Sequence, residues 1–198
     1  MWYIYRKWLD YSARYSDSGK SFQERDEPTL TEGFAAFLVG EYWAGRQPFD
    51  GDFISELRHY DLQSDGTAKC IGRTDIEWRL FGWPCFILEF KILDGGGARR
   101  DRCLGHGVQR FVDGRYAPRS GEGAMCGLLR TGGERDAKHL EAMIVDRAAV
   151  LCCHPPGEPP VVAPSRLAPS VARFDTAHSR SAPAVNPFHL AHVFMALP

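Results

Sequence analysis

Apolar and polar positions alternate with a period of two over residues 70–80 and again over 86–93; residues 53–62 and 67–80, with a turn at Ser64-Asp65-Gly66 between them, and 86–93 read as three strands. In the third, FILEFKIL, Phe86, Leu88, Phe90 and Ile92 line one face, while Ile87, Glu89, Lys91 and Leu93 line the other. Pro84 before the run and Asp94-Gly95-Gly96-Gly97 after it favour a short central strand over a helix. The stretch CIGRTDIEWRL repeats the pattern, with Arg73, Asp75 and Glu77 on one face and Ile76, Trp78 and Leu80 on the other.

Elsewhere the spacing changes to three and four. Residues 2–16 are helix-compatible. Thr29 or Thr31 is placed to cap a helix running to residue 44, with Leu30, Phe34, Phe37, Leu38, Glu41 and Tyr42 on one side. Residues 101–117 predict a helix whose oily side is Leu104, Val108, Phe111 and Val112, and 134–150 another through Leu140, Met143, Ile144 and Ala148. A strand over 124–130 separates the two. The tail, 171–180 and 188–197, reads as two closing strands or a strand and a short helix. The order implies an α/β fold, a mixed central β-sheet flanked by helices. Residues 1–154 form the core, and 155–198 supply a proline-rich loop and C-terminal edge elements packing on the same domain.

Composition narrows the class. The 198 residues are 44% apolar and 12% aromatic, which excludes a disordered chain and suffices for one hydrophobic core. Six cysteines without paired spacing predict free thiols and a reducing, cytoplasmic setting. The N-terminal MWYIYRKWLDY is interrupted by Arg6 and Lys7, so neither a signal peptide nor a membrane partner is expected. Net charge is only −1. Its distribution is uneven: Arg99, Arg100, Arg102, Arg110, Arg115 and Arg119 face only Asp101 and Asp113 between residues 99 and 119, an excess that suits phosphates or a solvated helix face.

Candidate chemistry centres on the two charged strand faces. Asp75 and Glu89 are equidistant from Gly82, so a hairpin centred there sets them directly opposite, about 5 Å apart. An odd loop keeps the carboxylates together, and an even one separates them. Two carboxylates at that distance repel unless a cation lies between them, and oxygen donors suit Mg2+ or Mn2+. Lys91 adds an ammonium at the same locus, suited to orienting water or offsetting charge on a phosphate. The competing reading is an exposed Glu89–Lys91 pair facing solvent.

Asp75, thirteen intervening residues, then Glu89-Phe90-Lys91 resembles the signature of the PD-(D/E)xK, or restriction-endonuclease-like, nuclease superfamily, with Thr74-Asp75 in place of Pro-Asp. Gln109 and Tyr116 resemble the glutamine-to-tyrosine motif of its exonuclease-like branch, and the likeness spans roughly residues 29–131. The resemblance implies a restriction-endonuclease-like core and a metal held by Asp75, Glu89 and the main-chain carbonyl of Phe90. It also implies that Lys91 positions or activates the attacking water, that Gln109 contacts the site from its helix and that Tyr116 supports it. A first-helix glutamate facing the metal is implied too, with Glu41 the candidate by helical phase and Glu32 on the opposite side. The activity implied is magnesium-dependent hydrolysis of DNA, with RNA left open, in bacterial defence against phage or mobile elements. A non-catalytic nucleic-acid-binding or assembly module of the same fold is the alternative. A homodimer and an activating partner protein both remain open. Weaker candidates are Cys152-Cys153-His154 as half a zinc site, Gly95 to Gly97 as a flexible turn near phosphate, and His178, Arg180, His189 and His192 as tail residues that touch substrate.

Overall fold

The computed structural model describes residues 1–16, 21–62, 64, 67–81, 83–130, 133–153 and 161–198. Asp65 and Gly66 of the expected turn, Gly82 and His154 lie outside the described residues. A mixed six-stranded sheet has the order β1-β2-β3-β4-β6-β5. The strands are β1 (Asp52–Leu62), β2 (Ala68–Leu80), β3 (Trp83–Leu93), β4 (Glu122–Leu129), β5 (Ala172–His178) and β6 (Phe188–Ala196). β3, β4 and β6 run parallel, while β1–β2, β2–β3 and β5–β6 pair antiparallel. The mixed α/β architecture expected from the alternation is thus present.

The oily face of β2 and β3 packs under α1 (Trp2–Tyr15) and α2 (Glu27–Trp43). There Ile76, Leu88, Phe90 and Ile92 join Trp8, Phe22, Phe34 and Leu38 in one buried cluster. Trp8 is its hub, edge-on to Phe34 at 5.2 Å and Phe22 at 6.3 Å, and stacked on Phe90 at 6.4 Å. The other face is covered by a helical run and by α5 (Gly133–Asp146), with Ile87, Leu93, Val108, Phe111, Leu140 and Ile144 buried together. The run comprises α3 (Gly97–Arg102), a π-helical segment Cys103–Val108 and α4 (Gln109–Val112). Right-handed helical backbone at both junctions makes it continuous.

Three boundaries depart from expectation for physical reasons. α2 starts at Glu27, not at a Thr29 or Thr31 cap, because the Asp26 side chain accepts the Thr29 N–H at 3.0 Å and Pro28 fits the first turn. Helix formation after β3 begins at Gly97, since the glycine turn is clamped and not loose. The Gly95 N–H donates to Asp136 at 2.6 Å, and Arg100 reaches the same buried carboxylate at 2.5 Å. β6 is not an edge element: it lies between β4 and β5, and its residues are mostly buried on both faces, as an interior strand with parallel pairing requires.

Arg180, expected near substrate, is a structural clasp. Its guanidinium is 6% exposed and donates to the main-chain carbonyls of Val185, Phe111, Tyr116, Ala117 and Ser120 at 2.9–3.4 Å, holding the chain between α4 and β4 against the tail. Arg180→Ala leaves these acceptors without their donor and is expected to cost about 3 kcal/mol; Arg180→Lys, lacking the planar fork, recovers less than half of it, as read by urea unfolding.

Candidate active site

Asp75 and Glu89 meet through a register correction that the equal spacing about Gly82 does not anticipate. The β2–β3 ladder begins Leu80↔Trp83 and Arg79↔Pro84, an even connection that would set Asp75 against Leu88 on the wrong face. A one-residue shift between Trp78 and Arg79 changes the pairing to Trp78↔Phe86 and Ile76↔Leu88, whose next step opposes Asp75 to Glu89. The bulge, not an odd loop, restores the parity.

Beyond Ile76↔Leu88 the strands part: β2 continues with β1 to Leu62↔Ala68, while β3 continues with β4 to Leu93↔Leu129. The N–H groups of β3 on the vacated side are taken by carboxylates. Phe90 N–H donates to Asp75 Oδ2 at 2.7 Å, and Ile92 N–H donates to Glu27 Oε2 at 3.0 Å. Lys91 Nζ lies 2.8 Å from Glu89 Oε1 and donates to Glu27 Oε1 at 2.8 Å and to the Phe90 carbonyl at 2.7 Å. Glu89 is 1% exposed and Lys91 7%, so the solvent-facing pair is excluded. Glu89 Oε2 is buried without a hydrogen-bond partner.

Burial dominates the electrostatics. It pushes Glu89 up to about 8, the neighbouring Asp75 charge adding to the rise and the Lys91 ammonium opposing it. Asp75 is raised by the same desolvation, against Lys91 and the Phe90 N–H. For Lys91 burial works toward neutrality, yet Glu89, Asp75 and Glu27 together outweigh it and hold the amine above the usual lysine range.

These groups form the floor of a cleft of about 480 Å³ whose lining also includes Cys70, Arg73, Arg102, His106 and Arg110. Arg102, His106 and Arg110 recur every four residues through the π-helical segment, where the wider turn keeps that spacing in line. Three of the other expected cations of this region are spent locally: Arg99 on Asp94, Arg100 on Asp136 and Arg115 on Asp113. Gln109 does not join the cleft lining; its amide donates to Asp113 Oδ1 at 2.8 Å. α4 ends at Val112, so Gln109 and Tyr116 do not lie on one helix. Tyr116 is buried behind the site, its hydroxyl donating to the Arg73 carbonyl at 2.7 Å and accepting from Arg110 at 2.5 Å, which fits a supporting role.

Glu41 is elsewhere. It pairs with Lys7 and Arg46 at 2.6 and 2.5 Å, and the Arg46 hydrogen bond holds its carboxyl down at about 2 despite burial. Glu32 is exposed. The glutamate that α2 does bring to the cleft is Glu27, which a helix starting at Thr29 or Thr31 leaves outside; the Asp26-Glu27-Pro28-Thr29 cap is the sequence signal for it. His178 and His192 are buried and joined through Thr176 Oγ1 at 2.7 and 2.9 Å, with His192 pushed down to about 3 by burial. The His192 imidazole therefore stays neutral, and both rings pack inside the fold outside the cleft lining. His189 is exposed and lines a separate cavity with Glu122 and Asp175. Cys153 Sγ lies 3.7 Å from His178 Nδ1 and Cys152 is exposed.

Among the described residues, no group of three or more His, Cys, Asp or Glu side chains stands together at metal-holding spacing. Two carboxylates with one open buried oxygen, Glu89 Oε2, nevertheless form an oxygen donor set that fits magnesium or manganese. The Phe90 carbonyl, expected as a ligand, is engaged by Lys91. No helix among the described residues is long and apolar enough to cross a membrane. Compared with known proteins, the chain matches no family model, and no curated sequence or solved structure is significantly similar to it.

Because the Glu89 carboxyl is raised from 4.5 to about 8, its contribution to stability is full below pH 4.5 and is lost as pH rises through about 8. In divalent-free buffer the melting temperature of wild type is expected to fall over that window more steeply than that of Glu89→Gln. A magnesium ion held by Glu89 would have to displace the proton, so the rise in wild-type melting temperature on adding magnesium is expected to be larger at pH 8.5 than at pH 6.

Proposed function

We propose that the protein is a magnesium-dependent nuclease of the PD-(D/E)xK kind, hydrolysing phosphodiester bonds in DNA. The observation that carries this reading is the buried Asp75–Glu89–Lys91 cluster, with an unpartnered carboxylate oxygen, on the floor of a cleft lined by Arg73, Arg102 and Arg110. Buried acids raised in pKa by burial, in a cleft with cationic walls, are a functional-site pattern.

Asp75 and Glu89 would hold the metal. A bound magnesium ion supplies Lewis-acid polarisation of a phosphoryl oxygen and a more acidic water. Lys91, kept cationic by three carboxylates, is a donor and not a proton acceptor. It orients the water whose oxygen forms the new bond to phosphorus as the bond to the leaving oxygen breaks, and it offsets charge on the phosphate. Glu27 is a positioning residue: it fixes Nζ from one side while Glu89 fixes it from the other. Arg102 and Arg110 bind flanking phosphates.

Incubation of plasmid, linear duplex and single-stranded DNA with magnesium tests the reading. Wild type is expected to cleave at least one of them, Asp75→Ala and Lys91→Ala to lose about a thousandfold or more, and Glu27→Gln roughly tenfold, with its alkaline limb moved to lower pH as Lys91 loses one carboxylate. EDTA abolishes cleavage. Calorimetry with magnesium separates the alternatives: no heat and no cleavage by wild type leave a salt-linked, non-catalytic module.

A further inference from the structure

The β1–β2 ribbon does more than carry Asp75. Past the last β2–β3 pair it runs on as a two-stranded arm from Leu57↔Thr74 to Leu62↔Ala68, about 20 Å at ~3.3 Å per residue. One side of this arm is a wall of the catalytic cleft, since Arg73 and Cys70 both line it. Residues 70 and 73 differ by an odd number and would ordinarily face opposite ways. The register shift between His59 and Tyr60, which passes from His59↔Gly72 to Tyr60↔Cys70, brings both to the same side.

Directly opposed residues share a face, so the partners Arg58↔Arg73 and Tyr60↔Cys70 put Arg58 and Tyr60 on the cleft side as well. Both are exposed, Tyr60 by 56%. Across the cleft stand Arg102, His106 and Arg110. Cations therefore line both walls, and acids the floor.

The geometry points to a path for a single nucleic-acid strand, leaving the cleft along the inner face of the β1–β2 arm with phosphates on Arg58 and Arg73 and an unpaired base stacked on Tyr60. A base can lie flat on an exposed tyrosine ring only when it is free of its partner strand, and a basic groove with an aromatic platform is the general chemistry of single-strand binding. This path rests on the proposed nuclease reading for its end point. Its own content is the arm.

Fluorescence anisotropy with labelled single-stranded and duplex oligonucleotides in EDTA, across a salt series, tests the arm without cleavage. Wild type is expected to bind the single strand more tightly. Tyr60→Ala weakens that binding about tenfold and duplex binding less than twofold. Arg58→Ala lowers the steepness of log affinity against log salt by roughly 0.7 to 1, and Arg58→Lys restores it. Both positions are exposed, and unchanged melting temperatures would verify folding. Wild-type affinity and salt slope in both variants, or no single-strand binding by wild type, overturn the arm; equal losses on both oligonucleotides overturn the single-strand assignment. A wild type that cleaves DNA while the variants bind normally removes the arm alone. Binding that depends on the arm, with no cleavage under magnesium, removes the nuclease reading alone.

Discussion

A strand that loses its neighbour must find other acceptors for its N–H groups, because an unpaired buried donor costs as much as a lost hydrogen bond. β3 meets this requirement where β2 leaves it: Asp75 takes the Phe90 N–H and Glu27 takes the Ile92 N–H. The two carboxylates are thus fixed by main chain, one from a strand and one from the first turn of a helix. The opening between β2 and β3 is the cleft itself. The departure of β2 therefore creates the cleft and orients two of the acids in it.

Charge balance follows from that placement. Three carboxylates converge on one ammonium, and Lys91 draws contacts from Glu89, Glu27 and the Phe90 carbonyl within 2.8 Å. Removal from water makes Asp75 and Glu89 hold protons more tightly, while the surrounding carboxylates keep Lys91 protonated against its own burial. Lys91 already engages the carbonyl and one Glu89 oxygen, leaving Glu89 Oε2 as the open acceptor. Under the proposed function, this cluster would exchange protons for a divalent cation.

The two walls of the cleft are each shaped by an irregularity. A π-helical segment keeps Arg102, His106 and Arg110 in one line, and a shift in β1–β2 pairing turns Cys70 and Arg73 the same way. A third irregularity, between Trp78 and Arg79, sets the carboxylates against each other. Each adds or removes a single residue of phase, and each re-aims the side chains that follow.

Period-two alternation was enough to identify β2 and β3 and to put Asp75 on one charged face and Glu89 and Lys91 on the other, because strand side chains alternate whatever surrounds them; that the two faces meet in register depends on the shift between Trp78 and Arg79. Gln109 rests on a motif resemblance, and α4 ends at Val112 before Tyr116; Glu41 rests on helical phase, and a glutamate on an apolar stripe can be satisfied by local cations such as Lys7 and Arg46. Glu27, Arg102 and His106 reach the cleft through contacts far apart in the chain, and the interior place of β6 depends on which neighbours buried both its faces. Local periodicity determined the elements and their charged sides; where strands part, and which distant side chain fills the gap, was decided only when the whole chain had to satisfy its buried polar groups at once.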